Sequence, residues 1–159
     1  MPSSSAKPAR RHHPNLALDR QLCFALYAAT HAMTRAYKRM LLGLGLTYPQ
    51  YLVMLVLWER DGSSISDIAG ALDLDAATVT PLVQRLEAGG WVQRLRLPGD
   101  NRTVSVTLNP QGWAVQGRVA AIQKAMACRT GLPPAEFDGL KASLLALAGQ
   151  MNQVLDTLA

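Results

Sequence analysis

Apolar and polar positions follow two periods along this chain, and their order predicts its elements. Between Asp61 and Leu108 the period is first helical and then strand-like. Ser64 or Ser66 caps a short helix that buries Ile65, Ile68, Ala69 and Leu72. Asp73-Leu74-Asp75 makes a tight turn, and Asp75 caps a second helix. There Val79, Leu82, Val83 and Leu86 recur at i, i+3, i+4 and i+7, one apolar face. Gly89-Gly90 stops that helix. Trp91 to Leu97 and Arg102 to Leu108 then alternate as two strands around the turn cluster Pro98-Gly99-Asp100-Asn101. Helix, turn, helix, hairpin is the order of a winged helix-turn-helix.

Helical patterns flank this unit. Asp19 suits the cap of a long helix reaching about Leu44, with Leu22, Leu26, Ala29 and Met33 on its apolar face. Gly43 and Gly45 interrupt it, and Pro49 suits the first turn of a helix running to about Arg60. That helix is apolar on every side and is expected to be central in the core. After the winged unit, Asn109 caps and Pro110 opens a helix to about Arg129, with Val115, Val119, Ile122 and Met126 on one face. Beyond Pro133-Pro134, a last helix spaces Phe137, Leu140, Leu144, Leu147, Met151 and Val154 by threes and fours. Such a seam suits packing on the first helix and on a partner subunit. The fold expected is mainly α with a small β hairpin, in one compact domain. A disordered basic tail covers 1–14, a helical dimerisation region 15–47 and 109–159, and a winged helix-turn-helix DNA-binding region 48–108.

Composition narrows the partners. The net charge of +5 favours a polyanion, and part of that charge lies in the tail. No run approaches the roughly 18 apolar residues of a membrane span, and no signal core opens the chain, so a cytoplasmic location with reduced thiols is expected. Two cysteines make no disulfide framework, and three histidines without a Cys/His cluster make no zinc site, so no metal or cofactor is expected.

The chemistry sits in two places. The polar face of the second short helix carries Ala77, Thr78, Thr80, Pro81, Gln84 and Arg85, short and polar and ending basic, as a helix in a DNA major groove requires. Arg94, Arg96 and Arg102 flank the hairpin tip, placed for phosphate or minor-groove contact. The other place is the first long helix. Cys23 falls at about its fourth position, where the helix dipole favours a thiolate, while Asp19 and burial among Leu22, Phe24 and Leu26 oppose one. Tyr27 is one turn beyond on the same face. Tyr37 is fourteen residues from Cys23, roughly 21 Å along a helix, so it reaches only the Cys23 of a second subunit whose helix runs antiparallel. Tyr48 can join the same pocket, and tyrosine hydroxyls can donate hydrogen bonds to a thiolate. Cys128, at a helix C-terminus beside Arg129, is a poor first nucleophile and an acceptable resolving thiol.

The helix order and the wing motif Asp100-x-Arg102 resemble the MarR family of dimeric repressors. Leu18-Asp19-Arg20-Gln21-Leu22-Cys23-Phe24-Ala25-Leu26-Tyr27 is similar to one branch, the organic-hydroperoxide-sensing repressors. So is Leu46-Thr47-Tyr48-Pro49-Gln50-Tyr51-Leu52-Val53-Met54-Leu55-Val56-Leu57-Trp58-Glu59. The resemblance spans about residues 16–155. It implies a homodimer on a pseudo-palindromic double-stranded DNA operator. It also implies that an organic hydroperoxide oxidises Cys23 to a sulfenic acid. Tyr37 and Tyr48 of the partner subunit, with Tyr27 nearby, would hold the reduced sulfur. Cys128 matches the resolving cysteine of the two-cysteine subgroup and would form a disulfide with Cys23 of the partner subunit, releasing the operator. Two places depart from the pattern, and one unusual residue belongs to it. Ala76-Ala77 stands where Ser-Gly is usual, which bears on base preference; Asn101 occupies a wing position that is commonly charged; and Pro81 belongs to the resembled Thr-x-Thr-Pro run.

Other readings predict different behaviour. A MarR-type repressor released by a small phenolic ligand, with Cys23 structural, responds under reducing conditions. A thiol peroxidase leaves the winged unit without a role, so an enzyme is not expected. A protein-binding winged helix is opposed by the basic wing.

Overall fold

The computed structural model describes residues 13–97 and 100–158. Most of the expected tail, residues 1–12, and Pro98-Gly99 of the hairpin turn lie outside them. Among the described residues seven α-helices and three strands follow in order: α1 (Leu22–Leu41), α2 (Tyr48–Glu59), β1 (Ser63–Ser64), α3 (Ile65–Leu72), α4 (Ala76–Ala88), β2 (Val92–Leu97), β3 (Asp100–Leu108), α5 (Pro110–Ala114), α6 (Gln116–Arg129) and α7 (Pro134–Leu158). The architecture is mainly helical with a small antiparallel sheet in the order β1-β3-β2, as a winged helix-turn-helix requires.

The central unit is built by local signals. Thr47 and Gln50 form a capping box at α2: Gln50 N–H donates to Thr47 Oγ1 at 3.4 Å, and Thr47 N–H to Gln50 Oε1 at 2.8 Å. Ser64, rather than Ser66, caps α3, with Asp67 N–H donating to Ser64 Oγ at 3.0 Å and Ser64 N–H to Asp67 Oδ2 at 3.0 Å. Asp75 caps α4 by accepting from Thr78 N–H at 2.6 Å. At the other end of α4, Gly90 takes φ +77°. That left-handed residue lets Gly90 N–H reach Glu87 O and Trp91 N–H reach Leu86 O, closing the orphan carbonyls. Leu57, Ile68, Val79, Val83, Leu86 and Val106 are fully buried together, so the apolar faces of α2, α3, α4 and the sheet meet in one core.

Several expectations are corrected. Asp19 does not cap α1: Leu18–Arg20 is a short 3-10 turn, and the helix opens after Gln21. Gln21 instead ties the entering chain, its Nε2 donating to Asn15 O at 2.7 Å and Ala17 O at 3.1 Å. The helix ends at Leu41, and Leu42–Leu44 is again 3-10. Asn109 holds the N-cap position of α5, as expected, but its side chain makes no cap hydrogen bond. Its Nδ2 donates to Gly90 O at 3.2 Å and Val92 O at 3.1 Å, holding the root of β2. The helix expected to run from Pro110 to Arg129 is divided at Val115. The cause is tertiary. Trp58 Nε1 donates to Gly112 O at 3.0 Å, and Gly112 lies so close to Trp91 O that a Cβ there would clash with it. Strand β1 was not expected; its two residues pair with Val106 and Ser105 of β3.

The last helix does not close over the first within one chain. Leu140, Leu144, Met151 and Val154 of the α7 seam are 42–53 % exposed. Its described link to the central unit is one hydrogen bond, Asn152 Nδ2 to Asp73 Oδ2 at 2.8 Å. Among the described residues no single helix is long and apolar enough to cross a membrane.

Candidate DNA interface and thiol site

Helix α4 presents the face expected of a recognition helix. Val79, Val83 and Leu86 hold it down, and Ala77, Thr78, Pro81, Gln84 and Arg85 point outward and are exposed. The helix continues through Pro81. Thr80 is different: its Oγ1 donates to Ala76 O at 2.6 Å, so that hydroxyl is occupied by its own helix. Asp75 is held below its ordinary value of 3.8 by its hydrogen bonds from Thr78, and Asp67 by its hydrogen bonds from Ser64, so both caps of the reading unit are ionised at neutral pH.

The wing arginines are not equivalent. Arg94 is engaged: its N–H donates to Glu87 Oε1 at 3.0 Å and its Nε to Glu87 Oε2 at 2.7 Å. Glu87, on α4, is a residue that sequence reasoning missed, because seven positions and a turn separate the pair. Arg96 is exposed. Asp100 and Arg102 are placed on β3, and the register pairs Leu97 with Asp100 after an irregularity at Arg96/Leu97. Their side chains lie outside the described residues.

Cys23 is the second residue of α1, nearer the positive end of the helix than the fourth position expected. It is exposed, not buried, and its neighbour Leu22 is 62 % exposed. Tyr27, one turn on, is also exposed, and its ring lies 4.2 Å from that of His31, a partner not expected. Cys128 is exposed near the end of α6. The adjacent Arg129 donates from Nη1 to Met40 Sδ at 3.6 Å, which sets this end of α6 against the C-terminal end of α1. The two thiols therefore belong to opposite ends of α1.

Tyr37 and Tyr48 do come together, with a third ring. Tyr37 lies 5.1 Å from Tyr48 and 5.2 Å from Tyr51, and Tyr48 lies 5.9 Å from Tyr51, between ring centroids. Tyr51 was missed, although its place three residues after Tyr48 puts it on the same helix face. Burial first, and then the neighbouring Tyr37, push the hydroxyls of Tyr48 and Tyr51 above their ordinary value of 10.0. Both remain protonated donors at neutral pH. Beside Tyr48, the chain between α1 and α2 encloses a cleft of about 510 Å³.

This architecture, with an outward polar helix beside a basic hairpin, defines a winged helix-turn-helix transcriptional regulator. The chain belongs to the MarR family, whose model matches residues 46–104. It is 44 % identical over 135 residues to the HTH-type transcriptional regulator TtmR of Methylorubrum extorquens, covering 85 % of this chain and 69 % of that protein. It is 33 % identical to the organic hydroperoxide resistance transcriptional regulator of Bacillus subtilis, over 87 % of this chain and 95 % of that one. Among solved structures it is similar to AbfR in its reduced, DNA-bound form, with a TM-score of 0.74, 34 % identity, and coverage of 87 % of this chain and 94 % of that chain. With AbfR in its disulfide form the TM-score is 0.60 at the same identity, over 87 % of this chain and 92 % of that one. These relatives are regulators, not enzymes.

Proposed function

We infer that this MarR-family regulator is a homodimeric repressor that senses organic hydroperoxides through Cys23 and releases a pseudo-palindromic operator on oxidation. The observation that carries this reading is the split site. An exposed thiol stands at the start of α1, and the tyrosine cluster stands at the other end of the same helix. Fourteen residues between Cys23 and Tyr37 span roughly 21 Å, so one chain cannot join them. Two α1 helices crossing antiparallel about a two-fold axis bring each thiol to the other subunit's tyrosines. The same geometry takes Cys23 toward Cys128 of the partner subunit. The likeness to a hydroperoxide regulator and to a protein solved in reduced and disulfide forms favours the same chemistry.

In that chemistry the Cys23 thiolate attacks the terminal oxygen of the hydroperoxide. The O–O bond breaks, an S–O bond forms, and the departing alkoxide takes a proton to leave as an alcohol. The sulfenic acid then condenses with Cys128 of the partner subunit, forming the disulfide and expelling water. A disulfide needs Cα atoms within about 7 Å, so subunits that hold the sulfurs farther apart must shift, and the shift displaces the two α4 helices. The paired α4 helices read the two operator half-sites through Ala77, Thr78, Gln84 and Arg85, with Arg96 and Arg102 on the flanks.

The cleft beside Tyr48 favours a second reading, release by a small phenolic ligand with Cys23 inert. One experiment separates them. Operator release by cumene hydroperoxide is followed by fluorescence anisotropy for the native protein and for Cys23→Ser, with a non-reducing gel of each. The expected result is release with a reducible dimer band in the native protein only. Release of Cys23→Ser by the same oxidant sinks the sensor assignment.

A further inference from the structure

We propose that Asn152 and Asp73 form the joint through which α7 sets the angle of the recognition helix α4, which makes Asn152 a positioning residue for DNA reading. Asn152 Nδ2 donates to Asp73 Oδ2 at 2.8 Å, from 79 positions away in the sequence. Asp73 is an unusual acceptor. It closes α3, and among the described residues it is the only non-glycine one at a positive φ, 55°. Its N–H donates to the carbonyls of Ala69 and Gly70, and Leu74 N–H donates to Ala69 O at 2.9 Å. Two residues on, Asp75 opens α4. The turn Asp73-Leu74-Asp75 therefore fixes how α4 leaves α3. Among the described side-chain bonds of this turn, the one that leaves the head goes to α7.

Stiffness on both sides lets the joint carry a displacement. Helix α7 is unbroken, and Asn152 lies eighteen residues beyond Pro134, roughly 27 Å along it. The start of that rod follows closely on the end of α6, which Arg129 sets against the C-terminal end of α1. On the other side, a residue with a side chain has little room around the left-handed region. A pull on the Asp73 carboxylate is thus passed to the turn rather than absorbed by rotation at its own φ. Aspartate meets both demands, because it tolerates that backbone conformation and its carboxylate accepts from an amide. Both side chains are exposed, so the bond adds little to folding, and its effect lies in where it leaves α4. The coupling of arm to head holds whichever signal moves the arms and goes beyond the hydroperoxide reading.

The test exchanges the pair. Affinity of the reduced full-length dimer is read by fluorescence anisotropy on a duplex selected from randomised DNA. Asn152→Ala should weaken that binding about fivefold, the effect of one net hydrogen bond. Asn152→Asp sets two carboxylates against each other and should weaken it further. Asp73→Asn keeps an acceptor and a residue suited to the left-handed turn, and should bind like the native protein. Asp73→Asn/Asn152→Asp reverses donor and acceptor at unchanged net charge and should recover native affinity. Binding to an unselected duplex rests on phosphate charge and should be the same for Asn152→Ala as for the native protein. Native affinity in Asn152→Ala overturns the proposal, as does an equal loss on the selected and unselected duplexes. A gain in Asp73→Asn that matches the loss in Asn152→Asp also overturns it, because the field of the two charges then explains both. Loss of affinity that coincides with dissociation of the dimer in analytical ultracentrifugation overturns it too, since Asn152 then serves the subunit contact.

Discussion

The reading unit and the helical arms of this protein solve the burial problem differently. From α2 to α4 each helix carries its own cap, and the apolar faces of the helices and the sheet close on one another. Leu57, Ile68, Val79, Val83 and Leu86 have no exposed surface within a single chain. The arms do not close. Leu16, Leu18, Leu22 and Tyr27 at one end and Leu140, Leu145 and Met151 at the other are all at least half exposed. Exposed apolar patches of this kind mark a surface that another molecule covers. The contrast teaches that the head is complete as a monomer, whereas the arms await a second copy. It also places both thiols on the incomplete part.

The largest expected effect comes from breaking the arms alone. Leu144→Glu/Met151→Glu puts charges on the α7 seam and should yield a folded monomer by analytical ultracentrifugation. Operator affinity should then fall by roughly 10²- to 10⁴-fold, the avidity lost when two linked modules bind singly. A double variant that remains a dimer shows that α7 is not the principal contact, and the comparison then has to be redrawn around α1.

A core change in the head should behave differently. Leu57→Ala removes a fully buried side chain and should cost about 2–5 kcal/mol. Because that burial is internal, the loss should be the same at every protein concentration. Leu144→Ala on the seam should instead lower the melting temperature more on dilution, since folding and association are linked there. Equal concentration dependence for the two variants contradicts the division into a finished head and unfinished arms.

How far the sequence reveals each part follows the same division. The caps at Ser64 and Asp75, the i, i+3, i+4 burial of α4 and the stop at Gly89-Gly90 are local, and all could be read from neighbouring residues. What escaped was long-range. The break at Val115 depends on Trp58 gripping Gly112 from 54 positions away. Strand β1 has only two residues, too few to show an alternation, and exists because β3 offers it an edge. Asp19 had the chemistry of a cap, but Gln21 took the entering chain on side-chain bonds to two backbone carbonyls. At the proposed thiol site, residue types and spacing singled out Cys23, Tyr37 and Tyr48, and the structure brings the rings of Tyr37 and Tyr48 together. Tyr51 was passed over because a tyrosine in an apolar helix reads as core until its ring is seen beside the others.

A smaller effect tests the head's self-sufficiency through its caps. The carboxyls of Asp67 and Asp75 lie below their ordinary value of 3.8 in the folded protein, because hydrogen bonds from Ser64 and from Thr78 favour the ionised form. A depressed folded value means that the cap contribution is fully present above the ordinary value. It is lost as the pH falls through the folded values. The denaturation midpoint should therefore decline below about pH 4, and Asp67→Asn/Asp75→Asn should flatten that decline. The change should be well below that of Leu57→Ala, because both carboxyls are exposed. An unaltered acid limb in the double variant assigns the decline to other carboxylates.

The smallest expected effect concerns the pair that joins the recognition helix to the wing. Glu87 is the penultimate residue of α4, where the helix dipole disfavours an anion, and Arg94 offsets that by holding both its oxygens. The two side chains are 33 % and 38 % exposed, so the pair is worth about 0.2–1 kcal/mol to stability at most. Glu87→Gln should thus leave the melting temperature almost unchanged. Its effect should appear in DNA binding, because Arg94 is released from an internal carboxylate and becomes available to a phosphate. The logarithm of the binding constant should then fall more steeply with the logarithm of salt, by about 0.9 for one added phosphate contact. An unchanged slope with a lowered melting temperature assigns Arg94 to bracing the wing against α4, and leaves phosphate contact on that flank to Arg96 and Arg102.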